Sequence, residues 1–184
     1  MTNEQFVSLK KELSLQAKNG IDFIAAATII WLAVAVIWTL SWPAYDRSVW
    51  TFIVGGPMLP LAFLLSKLFK TNWTVADNPL QPLGLWLNIA QLFYFPFLVF
   101  ILLHDPDYFV MTYAIITGAH FFPYAWFYDE KAYAVMAGVI VVGALLLGLN
   151  VAVDNMFLIP LYTAVCLLIL GGALYYSYRH KVVA

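Results

Sequence analysis

Six stretches of the chain are apolar almost throughout, covering approximately residues 21–41, 49–69, 82–103, 107–128, 131–151 and 155–177. Each is close to the roughly 20 residues that carry an α-helix across a hydrocarbon layer of about 30 Å. The polar connections are short, so neighbouring rods are expected to run antiparallel, and nothing outside them is large enough to fold alone. Residues 1–19 follow another pattern. Phe6, Leu9 and Leu13 recur at i, i+3 and i+7, with Lys10, Lys11 and Glu12 on other faces, and Thr2 and Gln5 have capping-box spacing. This predicts a short amphipathic helix, with Gly20 as its C-cap, lying on the membrane surface or folded against the bundle. Residues 20–184 then form the six-span domain.

Composition agrees. Of 184 residues, 64% are hydrophobic and only 10% charged, whereas a soluble domain carries about a quarter charged residues. So few charges cannot solvate a globule, and lipid must serve instead. Basic residues set the orientation. With the N-terminus inside, Lys10, Lys11, Lys18, Lys67, Lys70, Lys131, Arg179 and Lys181 fall on the cytoplasmic side and only Arg47 outside. The expected fold is therefore an all-α, six-transmembrane-helix bundle in the cytoplasmic membrane, both termini inside. No cleavable signal segment is expected at the polar N-terminus. Trp42, Tyr45, Trp50 and Tyr108 fall near the outer interface, and Trp73, Trp86, Trp126, Tyr128, Tyr133 and Tyr175 near the inner one, where amphipathic rings settle.

Polar side chains inside spans carry the functional signal, because hydrocarbon penalises unpaired ones. In the fourth span Tyr113, Thr117, His120 and Tyr124 share one face. Pro123 removes a backbone donor there and frees the carbonyl near Ala119. The third span offers Asn88 and Gln91, with Tyr94 and Pro96 nearby. Together Asn88, Gln91, Tyr94, Tyr113, Thr117, His120 and Tyr124 form a candidate solute pocket, with Gln91 expected level with His120. The competing reading is plain interhelical hydrogen bonding of a packed core histidine.

Gly55-Gly56-Pro57-Met58-Leu59-Pro60 predicts a break in the second span, either cavity-lining or a simple kink. Asp22 is expected to cap the first span or reach water at its inner end. Asn150 and Asn155 read as turn residues. Glycines of the fifth and sixth spans read as packing positions. Cys166 is alone in an apolar run, which excludes an intrachain disulfide and a cysteine metal cluster. Hydrolase, zinc-protease and nucleotide-binding signatures are absent. No cofactor, metal or nucleic-acid partner is expected. The expected partners are membrane lipids, a small-molecule solute, and a second copy or another membrane subunit.

The run from Gly118 to Tyr128, with the Lys-rich N-terminal helix and Lys18-Asn19-Gly20, resembles a family of small bacterial membrane proteins known only as a domain of unknown function. That resemblance implies a bacterial cytoplasmic membrane and transfers no catalytic residue. Size and topology are also similar to the substrate-binding subunits of energy-coupling-factor vitamin transporters, whose partner dock is an Ala-x-x-x-Ala. Here Ala25, Ala26, Ala27, Ala33 and Ala35 lack clean four-residue spacing. Small-solute transport or binding between spans three and four is the leading expectation. A non-transporting sensor or assembly partner is the second. An enzyme on a lipid-like substrate, with His120 and a tyrosine as acid and base, ranks last for want of a carboxylate.

Overall fold

The structure, a computed structural model, describes residues 2–183; Met1 and Ala184, the outer limits of the two predicted segments, lie outside the described residues. Nine α-helices and no strand occur among them: α1 (Asn3–Gln16), α2 (Ile21–Trp38), α3 (Ala44–Gly55), α4 (Met58–Phe69), α5 (Gln81–Leu92), α6 (Phe95–His104), α7 (Phe109–Phe127), α8 (Lys131–Asn150) and α9 (Leu158–Val183).

The capping box opens α1 as the pattern predicts. Thr2 Oγ1 accepts from Gln5 N at 3.3 Å, and Gln5 Oε1 accepts from Thr2 N at 2.9 Å. Leu13 and Ser14 are buried against the bundle while Lys11 and Glu12 stay exposed. Lys18, Asn19 and Gly20 follow with φ of 47°, 58° and 75°, three left-handed residues in succession that turn α1 into α2. A Cβ at Gly20 would stand 3.1 Å from both Tyr128 Cε2 and Tyr133 Oη. Both conformation and space therefore require glycine there.

Among the described residues four helices, or five segments if the bent α3–α4 pair is one, are long and apolar enough to cross a membrane. They are the stretch ending in α2, the α5–α6 pair, α8 and the stretch containing α9. The count falls short of six because α7 does not reach the apolarity of the rest, and the deficit lies in its Tyr, Thr, His and Pro side chains. The α3–α4 pair bends by 41° at Gly56-Pro57, where the Gly-Pro run predicts a break. A second break, which the pattern does not predict, separates α5 from α6 at Phe93-Tyr94. Pro96 cannot donate to the Leu92 carbonyl and its ring crowds that group, so α5 stops at Leu92. Pro123 leaves α7 continuous.

α2, α7, α8 and α9 form the centre. Trp31, Val34, Trp38, Val110, Ile140, Leu167, Leu170 and Leu174 interlock there with almost no exposure. Gly118 admits Ile140, whose Cγ2 would lie 2.8 Å from a Cβ on residue 118. Gly148 receives the Met111 side chain. Over half of the α2 span is buried (56%), against 6% of the α5–α6 span, which places the third apolar stretch at the periphery. Cys166 is free and buried, as its apolar surroundings suggest.

Candidate functional site

Two contacts set the register of the α5–α6 pair on α7. Near one end the Tyr124 hydroxyl donates to the Gly84 carbonyl at 3.5 Å, and the Phe127 ring closes on Gly84, its Cζ 3.1 Å from where a Cβ would lie. Near the other, the Phe95 and Tyr113 rings meet edge-on at 6.3 Å. The two elements run antiparallel between these contacts, which brings Asn88 and Gln91 opposite the Thr117–His120 turn of α7.

Along this seam the predicted residues separate into three groups. Tyr124 and Asn88 converge on one acceptor, for Asn88 Nδ2 also donates to the Gly84 carbonyl, at 3.0 Å. His120 is half-buried, its ring edge-on to Tyr124 at 5.2 Å, and Gln91 is half-buried across from Thr117, which is buried. Among the described residues neither the His120 ring nor the Gln91 amide makes a hydrogen bond. Neither is fully enclosed: among the described residues the one fully enclosed side-chain nitrogen or oxygen without a partner is Arg47 Nε. Tyr113 points elsewhere, packing on Trp31 at 5.2 Å with its hydroxyl against Gly55 at the α3–α4 break. Tyr94 sits on the α5–α6 break, half exposed, and does not join the others. A recess beside α1, lined by Ser8, Lys11 and Gln16, and another at the end of α2, lined by Trp38 and Arg47, lie away from this seam.

A connected cluster of buried polar groups lies at the end of the bundle where α1, α9 and the α7–α8 turn meet. Lys181 Nζ pairs with Glu130 Oε1 at 2.6 Å and donates to Ser14 Oγ at 2.7 Å, Asn19 Oδ1 at 3.3 Å and the Tyr128 carbonyl at 3.1 Å. Asn19, with no exposed surface, takes Ser14 Oγ as donor at 2.5 Å and gives its own amide to the Leu174 carbonyl at 3.1 Å. Ser177 Oγ donates to Glu130 as well. The Tyr133 hydroxyl donates to the Asn19 carbonyl at 2.7 Å, and Tyr124, Tyr128 and Tyr133 gather with centroids 5.8–6.0 Å apart beneath Gly20. Beside this clasp, Asp22 is buried rather than reaching water. Its Oδ2 accepts from Thr71 Oγ1 and Trp73 Nε1, each at 2.6 Å, and its Oδ1 accepts from Phe23 N at 3.0 Å.

Apart from Ser14–Asn19 and Asp22–Phe23, these partnerships join residues far apart in the chain. Ser14 and Lys181 are 167 residues apart, and Asp22 and Trp73 are 51. The one available signal is Lys18-Asn19-Gly20 before an apolar rod, a turn dense in residues that tolerate positive φ. Among the described residues no group of three or more His, Cys, Asp or Glu side chains gathers as a metal site.

A family profile described as a family of unknown function (DUF7010) matches residues 6–177. No curated protein and no solved structure matches. The comparisons therefore lend no support to a likeness with energy-coupling-factor subunits.

Proposed function

The chain belongs to that family of unknown function, and from this premise we propose that it is a six-pass membrane protein, both ends cytoplasmic, whose α5–α7 seam binds a small solute or carries it across. Apolar helices this exposed are those of a membrane protein: Leu64, Leu68, Phe97, Leu103, Leu146 and Leu149 each show more than half their surface.

Support for α7 as the sixth span is its packing. At 19 residues it is about 28 Å long. It runs antiparallel along α8, from Phe121 against Tyr133 to Met111 against Gly148. A helix lying along a spanning helix for its whole length shares its depth. An even number of crossings also fits the clasp, which ties the N-terminal helix and the end of α9 to one end of the bundle.

The observation that carries the binding reading is the pair of uncommitted polar groups, His120 and Gln91, on facing helices at mid-span. Hydrocarbon makes idle hydrogen-bonding groups expensive, and a polar solute entering the seam would use them. The test is a solute screen on reconstituted protein, by thermal shift and proteoliposome uptake. His120→Ala and Gln91→Ala are expected to weaken binding of a hit about tenfold or more, the equivalent of one lost buried hydrogen bond. Wild-type behaviour of both variants towards every hit refutes the site.

A second reading, a non-transporting assembly partner, draws on the peripheral α5–α6 pair, only 6% of whose span is buried within the chain. Cross-linking through cysteines placed at Phe93 or Phe97, which are strongly exposed there, separates a partner-covered face from a lipid-covered one.

A further inference from the structure

At the end of α2 opposite the clasp lies a recess of about 410 Å³, lined by Trp38, Thr39, Leu40, Trp42, Arg47 and Asp154 among others. Arg47 is built into its wall. Its guanidinium lies 4.8 Å over the Trp38 ring, and Nη1 donates to the Trp38 carbonyl at 3.3 Å. Trp38 is itself fixed, its indole N–H given to Thr51 Oγ1 at 3.0 Å, and Thr51 Oγ1 donates to the Arg47 carbonyl at 2.8 Å. The arginine is thus held by its own helix turn and by the last turn of α2. Yet its charge is unspent. Among the described residues it has no carboxylate within ion-pair distance, since the two ion pairs formed are Lys10–Asp129 and Lys181–Glu130. Only one of its five N–H donors has an acceptor there, and its Nε is enclosed without a partner. Capping the carbonyl end of α2 explains one bond and leaves the enclosed Nε unexplained and the other Nη donors free for a ligand.

Asp154, in the α8–α9 turn, supplies the opposite sign on the same recess without closing on the arginine, and it is solvent-exposed. Asp46 beside Arg47 is also exposed and does not line the recess. The surrounding rings, Trp42, Tyr45 and Trp50, are each 44–47% exposed, an arrangement suited to headgroup level.

We propose that this recess binds a phosphate ester carrying an amine, the phosphate on Arg47 and the ammonium beside Asp154, and that its source is the zwitterionic headgroup of a membrane phospholipid. An arginine fork matches phosphate geometry and is weakly hydrated, so it tolerates such a half-dry site. Depth selects the lipid source: the recess opens where apolar α2 ends and the aromatic rings begin, and a headgroup resides at that level whereas a free ester must be drawn from solution. The inference rests on α2 and α9 lying in a bilayer and not on the α5–α7 seam.

Native mass spectrometry of the full chain, released from nanodiscs of equal phosphatidylethanolamine and phosphatidylglycerol, reads the preference directly. Wild type is expected to retain phosphatidylethanolamine over phosphatidylglycerol. Arg47→Gln should lower retention of both about tenfold, the loss of one charge-assisted hydrogen bond. Asp154→Asn, in an exposed turn that tolerates change, should abolish the preference while leaving phosphatidylglycerol retention intact. Free phosphorylethanolamine serves as the soluble arm. Its failure to displace the lipid supports the lipid source, and its displacing the lipid at submillimolar concentration overturns that source. Equal retention of the two lipids by wild type, or an unchanged preference in Asp154→Asn, overturns the proposal. His120→Ala leaves the lipid preference untouched on this account, so failure of the recess and failure of the seam are told apart.

Discussion

Replacing Lys181 by methionine removes the cation at the centre of the clasp and keeps most of the side-chain volume. Glu130 is then left with Ser177 and Asn19 as donors and no counter-charge, its side chain only 9% exposed. Taking one partner from a buried ion pair costs about 3–5 kcal/mol. Lys181 keeps 21% of its side chain exposed, so solvent screens part of the interaction and the expected loss is about 2–4 kcal/mol. For a domain of this size that corresponds to a fall in Tm of about 5–15 °C, measurable by thermal unfolding of the purified protein in detergent. Ser14 and Asn19 lose their shared donor in the same variant, so α1 should also become more readily cut by protease than in wild type. Adding Glu130→Gln removes the stranded charge. The double variant is expected to recover part of the loss, with a coupling of about 1–3 kcal/mol. A loss under about 1 kcal/mol for Lys181→Met, or strict additivity of the two substitutions, refutes the reading of this cluster as a buried, mutually dependent network.

Two further expectations follow from backbone and packing. Gly20→Ala must hold an L-residue at φ of 75° and press a methyl within 3.1 Å of Tyr128 and Tyr133, so Tm should fall by the equivalent of about 2–3 kcal/mol. Gly118→Ala and Gly138→Ala form an internal control on helix packing. The first drives a methyl to 2.8 Å from Ile140 and should cost about 1–3 kcal/mol, whereas the second meets nothing within 4 Å and should be neutral or slightly stabilising by the same thermal assay.

What the sequence discloses is what is periodic or local. The apolar rods, the capped α1 with Leu13 turned inward, and the Gly-Pro break of α3 and α4 are all legible because each rests on neighbours within a few positions. The two Phe- and Pro-containing strings show the limit. Phe95-Pro96 ends a helix and Phe122-Pro123 does not, although the local chemistry is nearly the same. α7 is gripped along its length by α8, and that packing holds its axis through the missing hydrogen bond. The α5–α6 pair is scarcely buried and yields. Helical spacing puts the predicted seam residues on α5 and α7, while what each touches, Asn88 and Tyr124 on Gly84 but Tyr113 on Trp31, depends on long-range packing that spacing alone does not contain. Asp22, Asn19 and Glu130 are hidden from a local reading for a related reason, since each is satisfied by residues far along the chain.

The clasp has a consequence for how the molecule is made. Ser14 and Asn19 sit near the start of the chain and bond each other, but two of their further partners, Leu174 and Lys181, are delivered by the last helix. During synthesis α1 thus meets its first partners early, since Asn72 and Asn78 bond its Gln16 and Leu9 carbonyls, while the turn after it gains Leu174 and Lys181 only with the final rod. The α1–α2 turn is therefore the place where the two ends of the chain close on each other, and it is complete only when the whole chain is present.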